Sequence, residues 1–458
     1  MKDTLWFVLR ELRHNKGRAV LLCMTVALAE SSLYAILTLS AGYLRFFGEQ
    51  ATLAGKDAVS LALQGMVDVG KMLLGLLFQL LFHSAAALQL TAGEILSADA
   101  ALKNLPAFIL LSGLTALIAV RCATGLLFSV YRRRQRRFLN SLLVGGADDR
   151  YISRFVTTQT VCVWFLSLPF ALALGTAELA ALRVGASVFF VRSVGVQTPV
   201  EIRGGFVFFS AAALAVFLPV LFGFRKNLRG LSVRNAAQGT RIQTGAAMGI
   251  RTFSGDPVKY RILGLPHFIA LRNIEDSLGR YLKIFFMTTI YLSTAGCMML
   301  LLTFIRNSEI NAVSLTPGGE AFLAANEFFF CASSAVIELI ATMGTVCCII
   351  SHITSNLPEY AQLRAAGLSL RGVRRCARRE GVLCVAISLA VAGLWIYFLF
   401  CVFTKVYDPL LPGGGLDISG VGKPLTVIGV LSLLYAAAVI AATGIAARRV
   451  DRLDLPAV

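Results

Sequence analysis

The sequence predicts an all-α polytopic membrane protein with eight transmembrane helices, arranged as two tandem repeats of four, and three observations lead to this prediction. The composition is strongly apolar, with 57% hydrophobic and 15% charged residues. Long apolar runs recur along the chain, and Lys and Arg are concentrated in alternate segments between them. Segments in the first part of the chain also resemble segments in the second part at fixed separations. Amphipathic cytoplasmic coupling helices and one extra external amphipathic helix complete the predicted architecture.

The apolar runs are long enough to cross a bilayer. Soluble domains carry about 25% charged residues, well above the fraction found here. A helix needs about 20 mostly apolar residues to span about 30 Å of hydrocarbon. The sequence contains eight such runs, at 19–44, 105–131, 155–177, 206–224, 282–305, 327–350, 381–403 and 425–447.

The basic residues predict the orientation of these spans. A net charge of +18 would suggest nucleic acid as a partner of a soluble protein, but here the charge follows the apolar runs. If the N-terminus is cytoplasmic, the inner segments hold 31 Lys and Arg and the outer loops hold 10. This positive-inside bias places both termini in the cytoplasm and makes a nucleic-acid partner unnecessary.

The repeat is visible in two pairs of matching segments. LRELRHNKGR at 9–18 matches LRNIEDSLGR at 271–280 with an offset of 262 positions, and each segment directly precedes a long apolar run. LLVGGADDR at 142–150 matches LRAAGLSLR at 363–371 with an offset of 221, which pairs Gly146 with Gly367. Four spans return the chain to the same side, so we expect two parallel repeats.

The offsets differ because the first repeat carries a longer outer loop. This loop covers 45–104 in the first repeat, whereas the corresponding loop in the second covers only 307–325. The predicted organisation is a first repeat with an external insertion, a cytoplasmic linker and a second repeat, at 1–224 (insertion 45–104), 225–265 and 266–458.

The insertion contains an apolar run at 72–90 that is long enough to cross the bilayer. We expect it to stay outside, since a crossing would invert every later segment and expose the arginine run at 132–137 to the exterior. Polar residues recur there at three- and four-residue spacing, as in an amphipathic helix; these are Asp68, Lys71, Gly75, Gln79 and His83. The predicted external helix, 60–92, is either a packing element or a docking surface for a substrate or accessory protein.

No motif for catalysis or metal binding is apparent. A Walker A loop requires Gly-Lys followed by Ser or Thr, whereas the Gly-Lys pairs here are followed by Asp57, Met72 and Pro424. The sequence also lacks HExxH, GxSxG and close Cys/His clusters. We therefore expect no enzymatic activity, no metal and no cofactor bound by this chain.

Two inner segments carry the functional signal. The first coupling segment (132–154) and the second coupling segment (351–379) each combine charges, aliphatic residues at helical spacing and a glycine break. Each predicts a short amphipathic helix, a glycine-terminated turn and a basic stretch that enters the next span. Such an element can dock into a groove of a cytoplasmic partner.

At these residues the chain resembles the FtsX-like (MacB-type) permeases of ABC transporters. The sequence PEYAQLRAAG, which contains Glu359, Leu363, Arg364 and Gly367, closely matches the inner element of that family. RFLNSLLVGG is a degenerate match that lacks the glutamate. The resemblance covers both predicted repeats, and the eight-span form is similar to permeases of peptide-antibiotic exporters.

The resemblance implies that the chain works with a separate ABC ATPase in the bacterial cell membrane. Two ATPase copies would bind ATP and magnesium and dock on the coupling segments. The coupling residues that the resemblance implies are Arg136, Arg137, Leu139, Leu142, Gly146, Glu359, Leu363, Arg364 and Gly367. The chain departs from the family in lacking a large extracytoplasmic domain, since its longest predicted outer loop is the insertion at 45–104.

Three charged residues fall inside predicted spans, where charges are costly and need partners. These are Glu30, Arg121 and Glu338. Arg121 could pair with Glu30 in the first repeat or with Glu338 across the pseudo-symmetry axis. Either pair could be structural, or it could gate the protein or contact a substrate.

Three functions remain open at this point. The chain could be an ABC permease that exports or extracts an amphipathic peptide antibiotic or lipid. It could instead be a mechanical signalling protein that uses ATPase cycles to regulate an external cell-wall hydrolase. A secondary transporter or channel without an ATPase is the third possibility.

Overall fold

A computed structural model describes most of the helical part of the chain. The described residues are 2–14, 16–53, 57–67, 100–195, 197–228, 265–276, 317–355, 357–365, 367–407 and 422–448, with isolated positions at 55, 70, 71 and between 281 and 288. Most of the predicted external helix, most of the predicted fifth span and almost all of the linker fall outside these ranges.

All regular secondary structure in these ranges is helical. The main helices are α1 (Lys2–His14), α2 (Lys16–Leu53), α3 (Ala100–Val144), α4 (Asp149–Ser193), α5 (Phe206–Leu228), α6 (Leu265–Asp276), α7 (Pro317–Ser355), α8 (Leu357–Ala365), α9 (Leu370–Tyr407) and α10 (Gly422–Arg448). A short helix, Ala58–Val67, opens the predicted external helical region, and the Asp57 carboxylate caps it by accepting a 3.0 Å hydrogen bond from the Ser60 amide.

Six of these helices are long and apolar enough to cross a membrane. Their apolar parts are Leu22–Leu53, Leu105–Gly125, Arg150–Ser193, Ala324–Ile350, Leu370–Phe398 and Ile428–Arg448. They overlap six of the eight predicted spans, so the all-helical prediction is confirmed for the described residues, which include six candidate membrane-spanning helices. At the predicted fourth span, α5 has a described apolar part of only Phe206–Leu221, which is shorter than the other six.

Among the described helices, α2 and α7 each pack against several others and also contact one another. In the first part of the chain α2 packs against α3, α4 and α5, and it also contacts α7. In turn, α7 packs against α3 and α10, while α6 and α10 pack against α9. Tyr43 and Phe329, which are among the largest fully buried side chains, lie where α2 meets α7.

Two contacts join α2 to α7 at separate heights. The Tyr43 hydroxyl donates a 2.8 Å hydrogen bond to the Ala325 carbonyl, and its ring lies 4.8 Å from the ring of Phe329. Nearer the other end of α2, Thr25 Oγ1 lies 3.2 Å from Cys347 Sγ. The separation of Thr25 from Tyr43 along the sequence corresponds to about 27 Å along a helix. The contact therefore extends over most of a bilayer thickness.

The first coupling segment differs from its prediction as a separate short helix. Instead, α3 continues without a break to Val144, because no Gly or Pro lies between Tyr131 and that residue. In the second coupling segment α7 ends at Ser355 and α8 begins at Leu357. Position 356, between these two helices, lies outside the described residues.

Candidate functional site

Both coupling segments end in the same turn. In the first, the Gly146 amide donates to the Leu143 carbonyl (3.1 Å) and the Ala147 amide donates to the Leu142 carbonyl (2.9 Å). This pair of bonds is a Schellman motif, which places a left-handed residue just after the helix. Gly146 has φ of +89°, a conformation that glycine adopts without a steric penalty.

The turn of the second coupling segment has the same two hydrogen bonds. The Gly367 amide donates to the Arg364 carbonyl (3.0 Å), the Leu368 amide donates to the Leu363 carbonyl (3.1 Å), and Gly367 has φ of +95°. The four residues in these bonds align at the offset of 221 with those of the first turn: Leu363, Arg364, Gly367 and Leu368 with Leu142, Leu143, Gly146 and Ala147. The glycine break predicted in each segment is therefore present, with the same geometry in both.

The next helix starts at an equivalent position in both cases. Asp148 precedes α4 and its carbonyl accepts from the Ile152 amide at 3.1 Å; Ser369 precedes α9 and its carbonyl accepts from the Val373 amide at 3.0 Å. Ser369 also caps its helix, because its Oγ accepts from the Gly372 amide at 3.2 Å. Each turn thus leads directly into a membrane-spanning helix.

A hydrogen bond between an amide and a carboxylic acid group holds each of these two helices, α4 and α9, to the first helix of its half of the chain. Gln159 Nε2 on α4 donates to Glu11 Oε2 on α1 at 2.8 Å. Asn273 Nδ2 on α6 donates to Glu380 Oε2 on α9 at 3.1 Å. The offset of 262 pairs Glu11 with Asn273, and the offset of 221 pairs Gln159 with Glu380. The positions are equivalent, but the acid and the amide have exchanged helices.

Glu380 is also hydrogen-bonded to residues outside α6. We call Asn273, Tyr281, Tyr360 and Glu380 together the Glu380 cluster. The Tyr360 hydroxyl, on α8, donates to Glu380 Oε2 at 2.9 Å, and the Tyr281 hydroxyl donates to Glu380 Oε1. Both tyrosines and Glu380 are buried. Through these hydrogen bonds the Glu380 cluster ties the coupling helix α8 to the base of α9, and α9 to α6.

In the first half of the chain, a group of aromatic rings takes the position that corresponds to the Glu380 cluster. The rings of Phe7 on α1, Phe138 on α3 and Phe155 on α4 lie between 5.7 and 6.1 Å from one another. The positions equivalent to Tyr360 and Tyr281 are Leu139 and Ala19, which have no hydroxyl groups. Ring packing therefore connects the same three elements that hydrogen bonds connect in the second half.

The predicted coupling residues occupy different environments. Leu139 is buried against the protein core, while Leu142, Leu363 and Arg364 are half-buried and the two glycines are exposed. The side chains of Arg136, Arg137 and Glu359 lie outside the described part. The aliphatic side chains of both segments thus pack at least partly against the rest of the protein. The glycine turns are exposed at the protein surface.

The predicted intramembrane charges do not form either of the expected pairs. Glu30 is buried between α2 and α4, where its Oε2 accepts a 3.1 Å hydrogen bond from Ser167 Oγ. Arg121 is exposed on α3, and its Nη1 donates to the Pro219 carbonyl of α5 at 3.3 Å. Glu338 is buried in α7. Within the described contacts, Arg121 therefore pairs with neither glutamate, because its side chain reaches α5 instead.

Sequence reasoning missed the partners that hold these segments. The offsets of 262 and 221 already align Glu11 with Asn273 and Gln159 with Glu380, so the exchanged acid and amide are visible in the sequence once both offsets are applied. Glu178 was also missed, since α4 continues past the predicted end of its span at 177. Its Oε1 accepts hydrogen bonds from Ser31 (2.9 Å) and Ser32 (3.4 Å).

Comparisons of the chain with family models, curated proteins and solved structures give no match. The functional interpretation therefore depends on the two coupling segments and their contacts.

Proposed function

We propose that this chain is the permease subunit of an ABC transporter, driven by ATP hydrolysis in a separate ATPase. The substrate class would be an amphipathic peptide antibiotic or lipid, exported or extracted from the membrane. The observation that carries the proposal is the pair of coupling segments, which end in matching turns and are fixed to their membrane helices at equivalent positions. Two equivalent segments suit two equivalent subunits of a motor.

The contacts around each segment support a mechanical role. Each turn connects two helices, α3 with α4 and α8 with α9. A displacement of the turn must move the base of the following helix, since only two residues separate each glycine from that helix. The helices α1 and α6 are fastened to the same bases through Glu11 and Asn273.

The duplicated organisation and the orientation are part of the proposal. Matching turns, matching helix starts and the exchanged pair support two tandem repeats at 1–224 and 266–458. The excess of Lys and Arg in the inner segments supports a cytoplasmic position for both coupling segments and both termini. In this arrangement the turns face the compartment that holds ATP.

The exposed residues beside the turns are suited to contact a partner. Val144, the last residue of α3, is 64% exposed although it is apolar. Ala365, the last residue of α8, occupies the equivalent position and is also exposed. Charged substitutions there should disturb docking while leaving the buried side of each segment intact.

Co-purification tests this function. The tagged chain would be extracted from native membranes in mild detergent with ADP or ATP, and the co-eluting proteins would be identified and counted. We expect an ATP-hydrolysing subunit at two copies per chain, and its loss from the double variant V144D/A365D. As a control, L53D alters the 80% exposed Leu53 at the end of α2 and should retain the ATPase. The proposal fails if no ATPase co-elutes with the unaltered chain, or if V144D/A365D binds it equally well.

A further inference from the structure

The first turns of α9 carry arginines on a single side. Arg371, Arg375, Arg378 and Arg379 are all exposed. Their spacing of four, three and one positions places them within a sector of about 100° around a helix with about 3.6 residues per turn. We call these four residues the arginine face; it extends over about 12 Å of the helix.

The opposite side of the same turns is fixed inside the protein. Val373, Cys376, Ala377 and Glu380 are each at most 1% exposed. Asn273 of α6 is bonded to Glu380 on this side, and His267 Nε2 lies 2.6 Å from Arg379 Nη1 at its edge. The arginine face therefore has a fixed direction, because the buried side cannot rotate outwards.

The arginine face continues into the apolar outer surface of α9. Val382, Ala386 and Gly393 are exposed and lie within about 60° of the same side of the helix. These residues belong to the stretch that is long and apolar enough to cross a membrane, Leu370–Phe398. Acyl chains that cover this surface would bring their headgroups to the level of the arginines.

We propose that the arginine face is a binding site for anionic phospholipid headgroups of the adjacent leaflet. A guanidinium matches the oxygen atoms of a phosphate through two parallel hydrogen bonds. Clusters of basic residues directly beside a membrane helix attract anionic lipids. The continuity of the face with the lipid-facing surface distinguishes this ligand from an acidic protein surface, which would have to displace the headgroups. The site needs only a membrane, so it does not depend on the transporter assignment.

The equivalent surface of α4 provides a natural comparison. Arg150 and Arg154 match Arg371 and Arg375, but Thr157 and Thr158 stand at the positions of Arg378 and Arg379. The Thr157 hydroxyl is already bonded to the Ser153 carbonyl at 2.8 Å. The first half thus has two arginines where the second has four, and the additional pair defines the site.

The experiment measures which lipids remain bound to the full chain. The protein would be reconstituted in nanodiscs that contain phosphatidylcholine and phosphatidylglycerol, re-extracted in mild detergent and assayed for bound lipid by mass spectrometry. We expect enrichment of phosphatidylglycerol over its bulk fraction, and about a twofold or greater loss of that enrichment in R378T/R379T. R378K/R379K preserves the charges and should keep most of the enrichment. R150T/R154T removes the same charge from the first half and should leave it unchanged.

Three outcomes would overturn the proposal. The first is an equal loss of phosphatidylglycerol enrichment in R150T/R154T and R378T/R379T, which would reflect net charge alone. The second is an unchanged enrichment in R378T/R379T. The third is the absence of enrichment in the unaltered protein. Glycerol phosphate added in the same assay separates a membrane lipid from a free phosphate, because displacement by this soluble headgroup would assign the site to free anions. Gel filtration of each variant confirms that it remains monodisperse and folded.

Discussion

Gln159 and Glu380 occupy equivalent positions of α4 and α9, and each is hydrogen-bonded to the first helix of its half of the chain. Gln159 donates to a carboxylate on α1, whereas Glu380 accepts from an amide on α6. One acid and one amide are thus kept at each place, but their positions are exchanged. This exchange supports the proposed repeat, since two diverged copies of one contact could keep an acid and an amide while exchanging their positions.

The exchange can be repeated in the first half. We expect Q159E to lower the free energy of unfolding by about 1–3 kcal/mol, because two carboxylates would then face each other in a buried site. The double variant E11Q/Q159E should recover most of this loss, since it recreates the arrangement of the second half. Thermal unfolding in detergent measures both effects as a double-mutant cycle. A double variant that is no more stable than Q159E would show that the two positions are not coupled.

The Tyr360 hydroxyl should stabilise the link between α8 and α9. We expect Y360F to cost about 0.5–1.5 kcal/mol, the range for a typical hydrogen bond, because Glu380 Oε2 keeps its bond from Asn273. Under the proposed function, transport or ATPase stimulation should fall with it, because α8 loses a direct contact with Glu380. Y151F is the control: Tyr151 lies in the first turns of α4 and is half-buried. Equal effects of the two substitutions on unfolding temperature would count against a specific role for Tyr360.

A side chain introduced at Gly146 should destabilise the protein as much as one introduced at Gly367, because both glycines have a left-handed backbone conformation. A Cβ atom at Gly146 or Gly367 would meet no atom within 4 Å, so only the backbone conformation opposes it. We expect G146A and G367A each to cost about 1 kcal/mol, and Asn at either position to cost less. Gly393 also has open space but lies within a helix, where Ala is favoured. Unfolding temperatures that fall for G393A as much as for G146A would contradict this explanation.

Close packing of α2 on α4 should depend on Gly175. A Cβ atom there would lie 2.7 Å from Tyr34 Cδ1, which is closer than the two atoms can approach. We expect G175A to destabilise the protein by about 1–3 kcal/mol through displacement of the Tyr34 ring. Gly185 on the same helix offers a matched control, since its Cβ would lie 3.8 Å from Phe328. If G185A were as destabilising as G175A, the packing explanation would be wrong.

A disulfide between α2 and α7 should test whether their separation is part of the working cycle. Thr25 Oγ1 lies 3.2 Å from Cys347 Sγ, so T25C places a second thiol beside the first. We expect oxidation of T25C to join the two halves, which would stay together on a non-reducing gel after proteolysis within 225–264. If the proposed transport cycle separates α2 from α7, oxidation should also stop transport, and a reductant should restore it. T38C, which also places a cysteine on α2, is the control. Transport that continues at full rate in the cross-linked T25C protein would mean that α2 and α7 stay in contact throughout the cycle.

Much of the fold could be predicted from the length of the apolar runs alone. Six predicted spans coincide with helices, because about 20 apolar residues can satisfy their backbone in a bilayer only as a helix. The turns at Gly146 and Gly367 were also predictable, since a glycine after a helical run marks a left-handed cap. The continuous α3 was not, because charged and aliphatic residues suit both a separate helix and an extension of the span.

The contacts of the site were harder to predict than its backbone. Glu380 and Tyr281 lie 99 positions apart, and nothing local in either segment indicates the other. The positions of Glu30, Arg121 and Glu338 along their helices could be counted, but the direction of each side chain depends on packing that the sequence does not specify. Arg121 accordingly reached α5, although two glutamates were the expected partners.

The unbroken course of α3 links the turn at Gly146 to the opposite end of the same helix. A force applied near Val144 acts on one continuous helix about 67 Å long, which is more than twice the thickness of a bilayer's hydrocarbon core of about 30 Å. Under the proposed function, a displacement of this turn would therefore be transmitted along a single element to the opposite side of the bilayer.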